Sequence, residues 1–377
     1  WQALSRITSS GMFIPTLDGL RFAAICSVVL YHLADSIAAK SPYLAEDELR
    51  SSLLFGVLDK GSCGVQLFFI ISGFILALPF AEHCLAGRPS VSLPKYYRRR
   101  VTRLVPPYLC NLVVALAIQV LAGRGTVPSL WPHFLASAFY IHNLTYGEMS
   151  LINGVAWSLE VEVQFYILAP MMAKLFAISS TTVRRGSLLC AIVTLAAVKS
   201  CVVAAGGPSV FWHGTIVWFL EFFLTGFLLA DLYVAAWNRS PARSWQGDLI
   251  GLTGWGLVLA SQYDPVMANW MALPALAAYI GAFRGNFWHR LFSNPWYVAV
   301  GGMCYTIYLY HFFIIAAVER ATLGLAAGTG FSANFVLQSA LICPVVLVIS
   351  AVLFLLFEKP FMKPAVRREA QPATTGA

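Results

Sequence analysis

Apolar runs of about 20 residues recur along the whole chain, and they decide what it can fold into. They lie near 17–38, 62–82, 104–122, 155–177, 187–206, 213–236, 248–263, 267–284, 297–319 and 335–357. As a helix rising 1.5 Å per residue, such a run matches the roughly 30 Å apolar layer of a bilayer. The pair around 248–284 is the shortest. The chain is 59% hydrophobic and 11% charged, with a mean hydropathy of +0.72. An ordinary soluble domain carries about 25% charged residues, so a soluble fold could not hide this much apolar surface. The reading is an all-α integral membrane protein of about ten transmembrane helices in one bundle. The segment WPHFLASAFYIHN (131–143) is too short to span and is rich in aromatics and His, which predicts an interfacial or re-entrant helix.

Charge placement orients the bundle. The 25 Lys and Arg against 17 Asp and Glu give a net +8. A basic chain can bind nucleic acid, but here the basic residues fall mostly in short loops between apolar runs, as the positive-inside rule requires. With the N-terminus in the cytoplasm, eighteen Lys and Arg fall inside and six outside. Ten spans with both termini cytoplasmic satisfy that asymmetry. The expected organisation is a cytoplasmic lead over 1–16, the bundle over 17–361 and a disordered cytoplasmic tail over 362–377. No cleavable signal peptide is visible, and because the chain opens on Trp1, residues before it are expected. The eight cysteines show no paired spacing, and Cys26, Cys190, Cys201, Cys304 and Cys343, all within apolar runs, read as small buried hydrophobes. No cluster with metal-ligand spacing and no Gly-rich phosphate loop appears, so no metal is expected.

Ionisable residues inside a span cost free energy and are candidates for function. The first run holds Asp18, Arg21, His32 and Asp35. Arg21 and His32 are eleven residues apart, which places them on one helix face about 16 Å apart along the axis. Asp35, one turn beyond His32, could orient that ring. The fourth run opens WSLEVEVQFYILAP. Helical spacing puts Ser158, Glu162 and Phe165 or Tyr166 on one face and turns Glu160 the other way. Glu160 reads as an interfacial carboxylate, while Glu162 lies deeper and wants a partner such as His32 or Arg21. The ninth run, VGGMCYTIYLYHFFII, aligns Cys304, Tyr308 and His311. The segment PKYYRRRVTRLVPPY carries the densest basic cluster, and a helical start would gather Arg99, Arg100 and Arg103 on one side to grip phosphate groups. Ser72 and Gly73 in KGSCGVQLFFIISGF either bend a helix or line a cavity.

The strings LDGLR with His ten residues further on, GVQLFFIISGF, YYRRRVTRLVPPY, WSLEVEVQFYILAP, GGMCYTIYLYH and FEKPF occur in that order over about 17–361. Together they resemble the acyltransferase family 3 of bacterial inner-membrane enzymes. The resemblance implies O-acyl transfer, commonly of acetyl, from cytoplasmic acyl-CoA as co-substrate. The acceptor would be a hydroxyl on a surface glycan, a lipid-linked glycan or another extracytoplasmic molecule; exopolysaccharide and lipopolysaccharide both remain open. No tightly bound cofactor is implied. The family's Arg-x10-His motif falls on Arg21 and His32, its Arg-x-x-Arg motif on Arg100 and Arg103, and its WSL-x-x-E element on Trp157, Ser158, Leu159 and Glu162. The expected catalytic group is therefore His32, Glu162 and Arg21, with Arg99, Arg100 and Arg103 on the CoA phosphates. Trp157, Ser158, Tyr308, His311 and Asp35 are expected around the substrate. Some relatives carry a C-terminal esterase-like domain, which is not expected here. A proton-coupled transporter would also use intramembrane Arg, His and Glu, but the two halves of the chain show no clear repeat.

Overall fold

The computed structural model describes residues 13–41, 44, 46–207, 214–326 and 328–362. The lead before residue 13 and the tail after 362 lie outside these residues. Fourteen helices carry the architecture: α1 (Pro15–Lys40), α2 (Gly64–Ala86), α3 (Leu93–Leu121), α4 (Val127–Ala138), α5 (His142–Tyr146), α6 (Trp157–Met172) and α7 (Thr181–Ala204). They continue as α8 (Leu220–Asp231), α9 (Trp245–Ser261), α10 (Ala272–Arg284), α11 (Asn286–Phe292), α12 (Pro295–Gly302), α13 (Cys304–Thr322) and α14 (Phe331–Leu353). Among the described residues no strand forms; an isolated bridge joins Ser244 and Gly285. The protein is all-α.

Local sequence sets the helix ends. Pro15, Pro94, Pro128 and Pro295 stand in the first turns of α1, α3, α4 and α12, where a missing N–H costs nothing. The Asn294 side chain caps α12 by accepting the Trp296 N–H at 2.9 Å. Gly87, at φ 64°, closes α2 in the left-handed conformation.

Each of the ten predicted runs contains helix among the described residues, but six helical stretches there are long and apolar enough to cross a membrane: 15–40, 53–86, 93–121, 181–204, 304–326 and 331–362. The other runs are shorter or broken. The run at 267–284 divides into a turn at Pro265–Ala268 and the 13 residues of α10. The run at 297–319, expected as one helix, breaks at Met303 into α12 and α13. Gly301 and Gly302 precede the break, and a Cβ on Gly301 would stand 1.7 Å from the Asp18 carbonyl oxygen. The glycine lets α12 lie directly on the start of α1. The segment 131–143, expected as one short helix, forms the end of α4 and the start of α5.

α1 packs against α2, α12, α13 and α14 and is the central helix. α2 in turn packs closely on α8. At that crossing a Cβ on Gly73 would lie 2.2 Å from Phe223 O, and one on Gly226 2.3 Å from Ile70 O. Small residues here allow the backbones to touch, as interfaces between apolar helices require. Aromatic rings fill the space around the crossing: Phe165 stacks on Phe223 at 4.0 Å and Phe69 on Phe223 at 4.8 Å.

The outer faces stay apolar. Val113, Leu121, Val198, Val336 and Val348 are exposed, as expected where lipid covers them. Cys190 and Cys201 belong to this surface, contrary to the expectation that they fill the interior. α7 packs on α8 through Leu188, Ile192 and Ala196, which leaves its other side outward. Cys63 is the buried thiol, and no disulfide forms among the described residues.

Candidate active site

α1, α2, α3, α6 and α13 enclose a cavity of about 130 Å³. α1 contributes Arg21, α2 Phe68 and Ser72, α3 Arg100 and Arg103, α6 Ser158, Glu162 and Tyr166, and α13 Cys304, Tyr305 and Tyr308. Residues more than 280 positions apart in sequence thus meet around one polar space inside an apolar bundle.

Helical spacing explains each wall. Ser158, Glu162 and Tyr166 are four residues apart, so α6 turns all three to the cavity. Glu160 turns away; it is buried and accepts the Asn143 backbone N–H at 2.9 Å. Arg100 and Arg103 are three apart on α3 and both face inward. The Arg100 guanidinium lies over the rings of Tyr96 and Tyr166, at 5.5 and 5.8 Å, a packing that suits its planar cation. Arg99, expected beside them, is exposed and off the cavity, because 100° of rotation per residue carries it round the helix.

The charges are held by specific partners. Arg21 forms a buried ion pair with Asp18, one turn earlier on α1. Glu162 accepts a hydrogen bond from Ser72 Oγ at 2.5 Å. Ser158 and Tyr308 hydroxyls are 2.7 Å apart, and Tyr308 donates to the Val155 carbonyl at 2.6 Å, so Ser158 donates to Tyr308. Three guanidiniums with one cavity carboxylate make a site that favours anionic groups.

His32 does not line this cavity. Its ring stands beside that of His311, with centroids 5.2 Å apart, and against Phe312 at 5.6 Å. His311 is fully buried and lies one turn beyond Tyr308 on α13, with ring centroids 5.9 Å apart. The polar line therefore runs from the arginines through Ser158 and Tyr308 to the two imidazoles. Asp35, expected to orient His32, is exposed, and among the described residues no hydrogen bond joins the two; Asp35 sits on the side of α1 turned from the core. Trp157 lines a second pocket of about 330 Å³ with Gln66, Asn143, Trp218 and Phe219.

Several site features escaped the sequence reading. Tyr305 lines the cavity and donates to the Leu104 carbonyl at 2.9 Å. Its spacing of three from Tyr308 was a usable signal. Asp231, which pairs with Arg184 and Arg185, and Glu221, which binds Lys199 at 2.5 Å, are buried carboxylates that the same search for intramembrane charge could have found. Among the described residues no group of three or more His, Cys, Asp or Glu is placed to hold a metal.

Six helices long and apolar enough to cross a membrane, gathered around an arginine-lined cavity, define a multi-pass membrane protein. The model of an acyltransferase domain, acyltransferase family 3, matches residues 14–355, and the chain belongs to that family. A provisionally named O-acetyltransferase of Staphylococcus aureus (strain COL) is 26% identical over 333 residues, covering 81% of this chain and 51% of its own. The O-acetyltransferase OatA of Staphylococcus aureus (strain NCTC 8325 / PS 47) is 23% identical over 335 residues, covering 82% and 52%. The chain thus spans about half the length of these relatives. No solved structure gives a significant match.

Proposed function

We propose that this protein is a membrane O-acetyltransferase that moves an acetyl group from cytoplasmic acetyl-CoA to a hydroxyl of an extracytoplasmic glycan. The observation that carries the reading is the meeting of Arg21, Arg100, Arg103, Ser158 and Glu162, from three separate helices, around one cavity. Family membership and the names of the relatives support the reaction class.

Arg100 and Arg103 follow the exposed basic turn Lys95, Arg98 and Arg99, a natural landing for the phosphates of acyl-CoA. At about 130 Å³ the cavity suits the thioester end of such a donor and not the whole molecule. Arg21, paired with Asp18 on the cavity wall, adds to the positive charge that would hold the donor. His32 is the acting imidazole, either taking the acceptor's proton or carrying the acyl group. Glu162, held by Ser72, sets the field in the cavity. Ten crossings with both termini cytoplasmic, in a bacterial inner membrane, fit the eighteen-to-six distribution of Lys and Arg.

The test is the O-acetyl content of surface glycans in cells carrying the wild type, His32→Ala or no protein, at matched membrane abundance. The proposal expects an O-acetyl group from the wild type alone. Equal acetylation in all three strains contradicts it.

A further inference from the structure

His311 is fully buried, and its Nδ1 lies 2.8 Å from the Tyr308 carbonyl oxygen and 3.1 Å from that of Ile307. Carbonyl oxygens only accept, so Nδ1 carries the hydrogen and Nε2 keeps the lone pair. That Nε2 has no hydrogen-bond partner. A buried acceptor left open is costly, and such groups call for a functional account.

A ring neighbour that can supply a hydrogen is His32, with ring centroids 5.2 Å away and planes tilted by 41°. Of the other rings against His32, Phe312 at 5.6 Å carries no acceptor, and Tyr31 at 4.9 Å carries one in its hydroxyl alone. The same molecule shows what this spacing allows. His133 and His142 have centroids 5.1 Å apart, planes tilted by 36°, and an Nδ1 to Nε2 separation of 2.8 Å. His32 and His311 stand at nearly the same centroid separation and tilt, so the equivalent contact asks for a turn of the half-buried His32 ring and no movement of helices.

We propose that His311 is a positioning residue for His32: its Nε2 accepts the His32 N–H and fixes which His32 nitrogen keeps a lone pair for the reaction. The inference rests on the reading of His32 as the acting group. It holds whether His32 takes a proton or carries the acyl group, since both roles need one nitrogen free and the other held. The Tyr308 and Ile307 carbonyls lock the His311 tautomer, and helix α13 thereby sets the orientation of a ring on α1.

The experiment compares purified wild type, His311→Gln, His311→Leu and His32→Ala in acetyl-CoA turnover across pH, with abundance and thermal midpoint measured alongside. Gln keeps an acceptor near the Nε2 position; Leu fills the space without one. The proposal expects His311→Leu to lose more than about 100-fold in kcat with KM for acetyl-CoA nearly unchanged. It expects His311→Gln to keep a tenth or more of kcat, with the acid limb of its pH–rate profile displaced. Should His311→Leu fail to accumulate, the profile of His311→Gln decides. Equal losses in Gln and Leu with an undisplaced profile, or a His311→Leu enzyme within twofold of wild type, overturn it. Full activity in His32→Ala would instead remove the reading of His32 itself.

Discussion

Ser72 on α2 donates a hydrogen bond of 2.5 Å to Glu162 on α6, and this contact ties together two walls of the cavity. Hydrogen bonds to a charged group contribute about 1.5–3 kcal/mol. Ser72→Ala should therefore lower turnover roughly tenfold or more by freeing the carboxylate. Glu162→Gln keeps the contact but removes the charge, and should lower kcat further. Steady-state kinetics of both variants, at matched abundance, separates placement of the group from its charge.

Arg100 and Arg103 face the cavity while Arg99 does not. Replacing Arg100 or Arg103 by Ala should raise KM for acetyl-CoA by roughly 10- to 100-fold, the equivalent of one or two charge-assisted hydrogen bonds. Arg99→Ala should stay within about threefold, since an exposed, solvated charge pair on the landing turn contributes about 1 kcal/mol or less. Uniform effects at all three positions would mean that the basic turn acts only through its total charge.

Gly73 lies against the α8 backbone, so Gly73→Ala places a Cβ 2.2 Å from Phe223 O. Overpacking of this kind costs about 1–3 kcal/mol. Gly256, whose added Cβ meets nothing within 4 Å, is the control. Gly73→Ala should lower the thermal midpoint of the detergent-solubilised protein, and Gly256→Ala should leave it within about a degree or raise it.

Asp231 is fully buried between Arg184 and Arg185. Removing one partner of a buried pair strands the other charges at about 3–5 kcal/mol. Asp231→Ala should sharply reduce folded protein in the membrane, measured by fluorescence-detected gel filtration. The charge-neutral double variant Asp231→Ala with Arg184→Leu should recover part of it.

In the segment between α3 and α6, burial together with the adjacent His133 holds the His142 imidazole below its ordinary value. The neutral ring is the folded form. Its stabilising contribution is present above the unfolded value of about 6.5 and is lost as pH falls through that value toward the lower folded one. The thermal midpoint should fall on acidification from pH 7 to pH 5, and less steeply in His142→Gln.

Much of the site was legible because α-helical spacing is a strict geometry. The turn of 100° per residue was enough to put Ser158, Glu162 and Phe165 or Tyr166 on one face, to send Glu160 the other way, and to pair Arg100 with Arg103. What spacing does not contain is the relation between helices. That Ser72 would meet Glu162, or that His32 would meet His311 and not Asp35, depends on how α1, α2, α6 and α13 dock. Arg99 was misplaced because two spacings were allowed at the start of α3, and the helix phase chose one. The break at Met303 was hidden because a Gly-Gly pair inside an apolar run reads as well for close packing as for a helix end. Cys190 and Cys201 were misread because lipid makes the outside of the bundle as apolar as its interior, so hydropathy does not separate the two.

The most direct test of the central claim uses the purified protein in liposomes with carbon-14 acetyl-CoA enclosed on the side of the basic α3 turn. Released CoA thiol and the label on an added outer glycan are followed together. Release of CoA matched by label on the glycan, and loss of both in His32→Ala, is the predicted result. Wild-type protein that neither releases CoA nor labels the glycan, in vesicles where it is folded and correctly oriented, would contradict the account.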